Sequence, residues 1–248
     1  MNKLLLTAVV LTLCASCKKY ARPGSVPQAG IVLTFDDYSV NDWYDYLPTL
    51  DSFGVKATFY ISNYNRLDAG QKAKLHTIQS RGHEIGFHTL NHPDLTRYIQ
   101  RWGIQTLVQK EIAEGLRQMN KDGFYPTSFA YPYGSRLPEL DLALWQYFKS
   151  LRALNGTKDY SKSCTGSNYN PLLYGLVIDE KANKSIQLVE RLMMGTKQNS
   201  NCLVFCAHQI NSSNPASYSI SDGRLRHILS FANRIGLKFY TASEVSPK

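Results

Sequence analysis

The stretch that decides the fold is "IVLTFDD", residues 31–37. Five residues rich in β-branched and aromatic side chains read as a buried strand. The run ends in two adjacent carboxylates, Asp36 and Asp37. A strand end meeting solvent would explain one acid, but two like charges beside an apolar run ask for a role. Strand-like and helix-like stretches alternate onward from this point. "NDWYDYLPTLDSFG" (41–54) predicts a helix stopped by Gly54, and "VKATFYI" (55–61) a second strand. Asp68 is placed to cap a helix running through Ser80, ahead of the short strand "HEIGFH" (83–88). Ile104, Leu107, Val108, Ile112, Leu116 and Met119 follow helical spacing. "TSFAYPYG" (127–134) predicts a strand entering a turn, "PELDLALWQYF" (138–148) a helix and "SLRAL" (150–154) a strand. "LYGLVID" (173–179) and "CLVFCAHQI" (202–210) predict strands around a helix near 182–199. A last helix carries Leu225, Ile228, Leu229, Ala232 and Ile235, and "LKFYTA" (237–242) closes the pattern.

This alternation predicts an α/β fold with parallel strands joined by helices. Seven to eight units in this length favour a (β/α) barrel over an open sheet. Chemistry in such a barrel sits at the C-terminal ends of the strands. That filter selects Asp36 and Asp37, His88 and His92, Tyr131 and Tyr133 (as candidates to contact substrate), and His208. The H-x3-H spacing of His88 and His92 predicts two imidazoles on one side of a helical turn. One added carboxylate would make a set of two histidines and one aspartate with open coordination positions. Adjacent strand-end acids point in different directions, so one can face a metal and the other a water. Thr89 and Asn91 are candidates to order the histidine loop. His83 at a strand start, and His76 and His227 in helices, read as structural.

The 248 residues carry a formal charge of +9, with Lys and Arg scattered and no run longer than Lys18–Lys19. This is a generally basic surface that suits an anionic polymer and lacks a nucleic-acid stripe. Some of the 16 tyrosines could serve as platforms for sugar rings, and others as packing residues. Lys3 and the apolar stretch Leu4–Leu13, too short for a bilayer span, form a targeting segment. "CASC" (14–17) resembles a bacterial lipoprotein signal with Cys17 as the lipidated residue. The expected organisation is a signal at 1–17, a Pro/Gly-containing tether at 18–29 and one catalytic domain at 30–248. The protein is expected to be exported and lipid-anchored in the bacterial cell envelope. Residues 155–172 look like an irregular insertion that rims the site. Cys202 and Cys206 are roughly 13 Å apart along a strand, too far for a disulfide. Cys164 could pair with either, or all three thiols could be free.

"TFDD", "HEIGFHTLNH", "FAYPYG" and "LVFCAHQI", in this order, resemble the successive motifs of the polysaccharide deacetylases, the NodB-homology proteins of carbohydrate esterase family four. The resemblance covers roughly residues 30–243 and implies a distorted (β/α) barrel with fewer strands than the regular eight. It implies a divalent metal, usually zinc and sometimes cobalt or nickel, held by Asp37, His88 and His92. It implies Asp36 as catalytic base, His208 as general acid, and the Tyr133 backbone N–H as an oxyanion donor. The implied reaction removes N- or O-linked acetyl groups from an acetylated glycan. Two departures stand out. Ala130 occupies the place where the family often has an arginine that orients the base, and Arg152 could supply the guanidinium from the next strand. The family's fourth motif is not recognisable near "SLRALNG". The alternatives are hydrolysis of a non-sugar amide and a glycan-binding lipoprotein that has lost turnover.

Overall fold

A computed structural model describes residues 28–165, 171–210 and 218–246. The targeting segment, Cys17 and most of the tether lie outside the described residues. Strands and helices alternate as the apolar pattern requires. β1 (Gly30–Asp37) leads to α1 (Val40–Ser52), β2 (Thr58–Ile61) to α2 (Ala69–Ser80), and β3 (Glu84–Phe87) to α3 (Leu95–Leu107) and α4 (Glu114–Lys121). Then follow β4 (Ser128–Ala130), α5 (Pro138–Leu144), β5 (Ser150–Leu154), and the short β6 (Cys164–Thr165). β7 (Leu172–Val177), α6 (Ile186–Asn199), β8 (Cys202–Ala207), β9 (Gln209–Ile210), β10 (Ser219–Ile220), α7 (Asp222–Arg234) and β11 (Lys238–Tyr240) complete the order.

β1, β2, β3, β4, β5, β7 and β8 pair in parallel in that order, and β8 returns to β1 over residues 30–35 and 202–207. The result is a closed barrel of seven parallel strands among the described residues. It is distorted at its lower end, where two strand pairs part. On β1, the edge that meets β2 at residues 34–37 meets β11 at residues 30–32. On β8, β7 pairs only with Phe205 and Cys206, while antiparallel β6 takes Cys202 and Leu203. Each short strand satisfies backbone groups that would otherwise be orphaned. This end of the insertion therefore packs on the start of β8, far from the strand C-termini, and does not rim the site.

Alternation along each strand separates two apolar layers. Ile31, Leu33, Phe35, Phe59, Ile61, Phe87, Phe129 and Phe205 pack outward under the helices. Val32, Tyr60, Ala130, Leu173, Cys202 and Val204 pack in the barrel interior. Both strand faces are buried, which is why the strands read as nearly continuous apolar runs. α1 contributes Val40, Trp43, Leu47 and Leu50 to the outer layer. Each such side chain stabilises by about 1.5–3 kcal/mol when fully buried. α2 begins at the expected cap, with Asp68 accepting from Gln71 N and the Gln71 side chain returning to Asp68 N.

The helix expected across 104–119 forms, but residues Val108–Ala113 take a π-helical turn between the end of α3 and α4, and Gly103, at φ 78°, kinks α3 just before the expected stretch. Cys164, Cys202 and Cys206 are free thiols, which settles the open disulfide question. Burial pushes the Cys202 thiol up to about 12. His83 accepts from Ala57 N, His76 stacks on Phe124, and His227 contacts Glu190. All three remain structural. No helix among the described residues is long and apolar enough to cross a membrane.

Candidate active site

Because the barrel strands are parallel, their C-terminal ends meet at one mouth. There Asp36, Asp37, His88, His92, Tyr133 and His208 line one cavity of about 230 Å3, with Leu154, Val177 and Tyr218 completing its wall. Asp36 and Asp37 take different directions as expected. Asp36 points into the barrel and is 2% exposed. Asp37 turns toward the histidines at φ 85°, a left-handed conformation that is costly for a residue with a Cβ.

His88 ends β3, with its Nδ1 2.8 Å from the Ala130 carbonyl. A carbonyl can only accept, so Nδ1 carries the proton and Nε2 presents a lone pair. Burial drives the His88 pKa down to about 3, which keeps the ring neutral. His88 Nε2, His92 Nε2 and Asp37 Oδ1 converge: 3.2 Å separates the two nitrogens, and Asp37 Oδ1 lies 3.3 Å from His92 and 3.7 Å from His88. Ligands about 2.0–2.1 Å from a tetrahedral zinc lie about 3.3–3.4 Å apart. The three atoms fit a divalent metal in both spacing and chemistry. Burial pushes the Asp37 carboxyl up, and the charge of Asp36 adds to that. A cation at this point would relieve both.

Residues 88–92 are not a helical turn. Thr89 and His92 both lie at positive φ, 68° and 53°, and the loop is tied down by hydrogen bonds. His92 N donates to Thr89 Oγ1 at 3.0 Å, while Asn91 donates through N and Nδ2 to the Glu111 carboxylate at 2.8 and 3.0 Å. Leu90 N donates to the Glu111 carbonyl. Glu111 is 4% exposed and sits in the π-helical turn, which places a charged side chain against the loop. Thr89 and Asn91 were legible in the sequence; Glu111 was not.

Arg152 crosses the barrel interior from β5, and its Nη2 donates to Asp36 Oδ2. The arginine is fully buried. Burial opposes its charge, and Asp36 more than offsets that. For Asp36, burial raises the pKa, but Arg152 with His88 and His208 holds the carboxyl at about 2. Cys206 Sγ also donates to Asp36 Oδ2 at 3.4 Å. Asp36, Cys206 and His208 cluster closely enough to suggest a second metal set. The guanidinium on Asp36 makes that set a poor cation site.

On the opposite wall His208 Nδ1 lies 2.6 Å from Asp179 Oδ2, and His208 N donates to Asp179 Oδ1 at 3.2 Å. Trp43 Nε1 donates to the His208 carbonyl at 2.9 Å. Burial lowers the His208 pKa, but the bond from Asp179 and the charge of Asp36 raise it above its ordinary value overall. The sequence reading overlooked Asp179. It closes "LYGLVID" at a strand end, so the filter that found His208 would have found it too.

The family model of the polysaccharide deacetylases matches residues 24–151, just over half of the chain. The chain belongs to this family. Uncharacterized protein YlxY of Bacillus subtilis is 33% identical over 122 residues, covering 47% of this chain and 35% of that protein. The chitin deacetylase of Colletotrichum lindemuthianum is 31% identical over 110 residues, 43% of each chain. The peptidoglycan-N-acetylglucosamine deacetylase PgdA of Listeria monocytogenes is 29% identical over 106 residues, 42% of this chain and 22% of that one. The chain thus spans less than half the length of these relatives. Among solved structures, peptidoglycan deacetylase PdaC of Bacillus subtilis superposes with a TM-score of 0.58 at 20% identity, covering 88% of this chain and 90% of that one. The family 4 carbohydrate esterase of Streptomyces lividans, solved with acetate, gives 0.59 at 18% identity, covering 89% and 98%. At these identities the likeness is one of fold, and it agrees with the distorted barrel.

In this member of the family, Arg152 stands beside Asp36 where Ala130 leaves no guanidinium. The two tyrosines of the third motif part company. Tyr133 lies at the mouth at φ 56°, its ring edge-on to His92 at 4.6 Å. Tyr131, expected to contact substrate, does not reach the cavity. It faces the outer layer, is fully buried, and donates from its hydroxyl to Asp141, which also binds Arg136. Strand parity explains this: Ala130 points into the barrel, so Tyr131 points out.

Proposed function

We propose that this chain is a metal-dependent hydrolase that removes acetyl groups from a cell-envelope or extracellular polysaccharide. The observation that carries the reading is the convergence of Asp37 Oδ1, His88 Nε2 and His92 Nε2 within 3.2–3.7 Å, flanked by Asp36 and His208. Asp37, His88 and His92 would hold a divalent ion, zinc being the best match to the donor set. Such an ion, when bound, polarises a carbonyl and makes water more acidic.

The chain's own residues supply the proton traffic. Asp36, held ionised by Arg152, accepts the proton of the attacking water. His208 keeps Nδ1 on Asp179, which leaves Nε2 to donate a proton to the departing amine or hydroxyl. The Tyr133 N–H, at the mouth of the cavity, would serve the oxyanion of the tetrahedral intermediate. A glycan-binding protein without turnover would have no use for a base kept ionised by a buried arginine. Export and lipid anchoring through Cys17 belong to the same reading, supported by the apolar Leu4–Leu13 segment.

The test is acetate release from a panel of acetylated glycans, with and without a chelator. Release that stops on chelation and returns with zinc, cobalt or nickel is expected. Absence of release from every glycan in metal-loaded protein would overturn the reading.

A further inference from the structure

Beside the catalytic cavity lies a second one of about 320 Å3, and the two share Val177 and Tyr218 as a common wall. Its outer side carries Lys181 and Lys184. Lys181 Nζ sits 5.5 Å from the Tyr218 ring centroid, and Lys184 Nζ 5.9 Å from that of Tyr160. Tyr218 is 61% exposed, and the other neighbour of its ring is the His208 ring at 5.4 Å. One aromatic surface therefore spans the distance from the general-acid position to the lysines.

Neither lysine has an ion-pair partner among the described residues. The nearby acids are engaged elsewhere. Asp179 is buried on His208, and Glu180 accepts from Ser221 Oγ at 2.6 Å. The segment bearing the lysines is fixed from below: Arg224 donates to the Ile178 and Lys184 carbonyls at 2.9 and 2.7 Å. Two cations on a pinned segment, beside an exposed ring that leads into the catalytic cavity, make a surface for a charged sugar.

We infer that the cavity lined by Lys181, Lys184 and Tyr218 is a subsite for an anionic group, carboxylate or phosphodiester, on a sugar neighbouring the one at the catalytic centre. The inference rests on the proposed deacetylase reading for the order of the sugars, but binding can be measured apart from turnover. The sugar face stacks on Tyr218, and the anion meets the two ammonium groups.

The test is calorimetric binding of three acetylated oligosaccharides of equal length to the full chain, at low and at physiological salt. One is neutral, one bears carboxylates and one bears phosphodiesters. The better anionic ligand should bind about five- to tenfold tighter than the neutral one at low salt, with the margin shrinking as salt rises. The Lys181→Ala/Lys184→Ala variant should lose that margin and keep its affinity for the neutral ligand. The tighter of the two anionic arms identifies the source of the charge. Equal affinity for all three in the unaltered protein, no binding of any, or a margin that survives the double substitution would overturn the inference. Acetate release without a charge preference would sink the subsite alone. A charge preference with no release from any ligand would sink the catalytic reading alone.

Discussion

Replacing Arg152 with methionine removes the guanidinium that Asp36 touches inside the barrel. The donor is fully buried and the acceptor 2% exposed, so water cannot take the place of the guanidinium. Breaking a buried ion pair by deleting one partner costs about 3–5 kcal/mol, because an uncompensated charge remains. In a chain of this length that lowers the melting temperature by about 6–20 °C. The sign with pH follows from Asp36. In the unaltered protein its pKa is depressed from 3.8 to about 2. It therefore adds stability that is present above its unfolded value and lost as pH falls toward the folded one. Without Arg152, burial alone raises the folded pKa, so the deficit of Arg152→Met is greatest at neutral pH and shrinks on acidification. Adding Asp36→Asn removes the stranded charge and should recover about 2 kcal/mol or more. The assay is urea unfolding of the single and double variants, stripped of metal, across the acid range. A single variant within about 1 kcal/mol of the parent, or no recovery in the double, would refute the account of Arg152 as the partner that keeps Asp36 ionised.

The remaining predictions concern the mouth of the barrel. His92→Ala should lose bound metal while Asp36→Asn keeps metal and loses acetate release; unchanged metal content in the first would remove His92 from the ligand set. Asp179→Asn should lower the His208 pKa and move the alkaline limb of the kcat/KM profile to lower pH, since the hydrogen bond to Asp179 favours the charged ring. His208 has a raised pKa, so its stability contribution is present below its unfolded value and lost as pH rises through the folded one; Asp179→Asn should flatten that dependence. Glu111→Ala should weaken metal affinity about 10- to 100-fold through the loosened Asn91 loop, read by chelator competition on protein shown to be folded.

Much of the site could be read from the chain because a parallel barrel ties chemistry to strand ends. Asp36, Asp37, His88 and His208 close apolar runs, His92 follows from its spacing to His88, and Arg152 follows from its place on the strand beside Ala130. What escaped has local physical reasons. Period-two parity already assigns Tyr131 to the outer face once Ala130 is inside, and the sequence reading did not apply it. The π-helical turn hides behind an ordinary helical pattern from Ile104 to Met119, so Glu111 looks like a solvent-facing acid. The positive φ of Thr89 and His92 leaves no trace in residue type, since neither is glycine or asparagine. The roles of β6 and β11 depend on where β2 and β7 leave their neighbours, a long-range matter that no window of sequence contains.

The placement of β11 and β8 on β1 also bears on how the protein acquires its activity. The strand that carries both carboxylates has one early partner, β2, but its other lateral partners, β8 and β11, come about 170 to 210 residues later in the chain. Such pairing is slow, because the closure entropy of a long loop precedes any reward. An N-terminal fragment ending near residue 151, the stretch that carries the family signature, would hold Asp36, Asp37, His88 and His92 yet lack Arg152, His208, β8 and β11. It would be a set of ligands without a wall to stand on. The barrel closes, and the site is complete, only once β8 has joined β1.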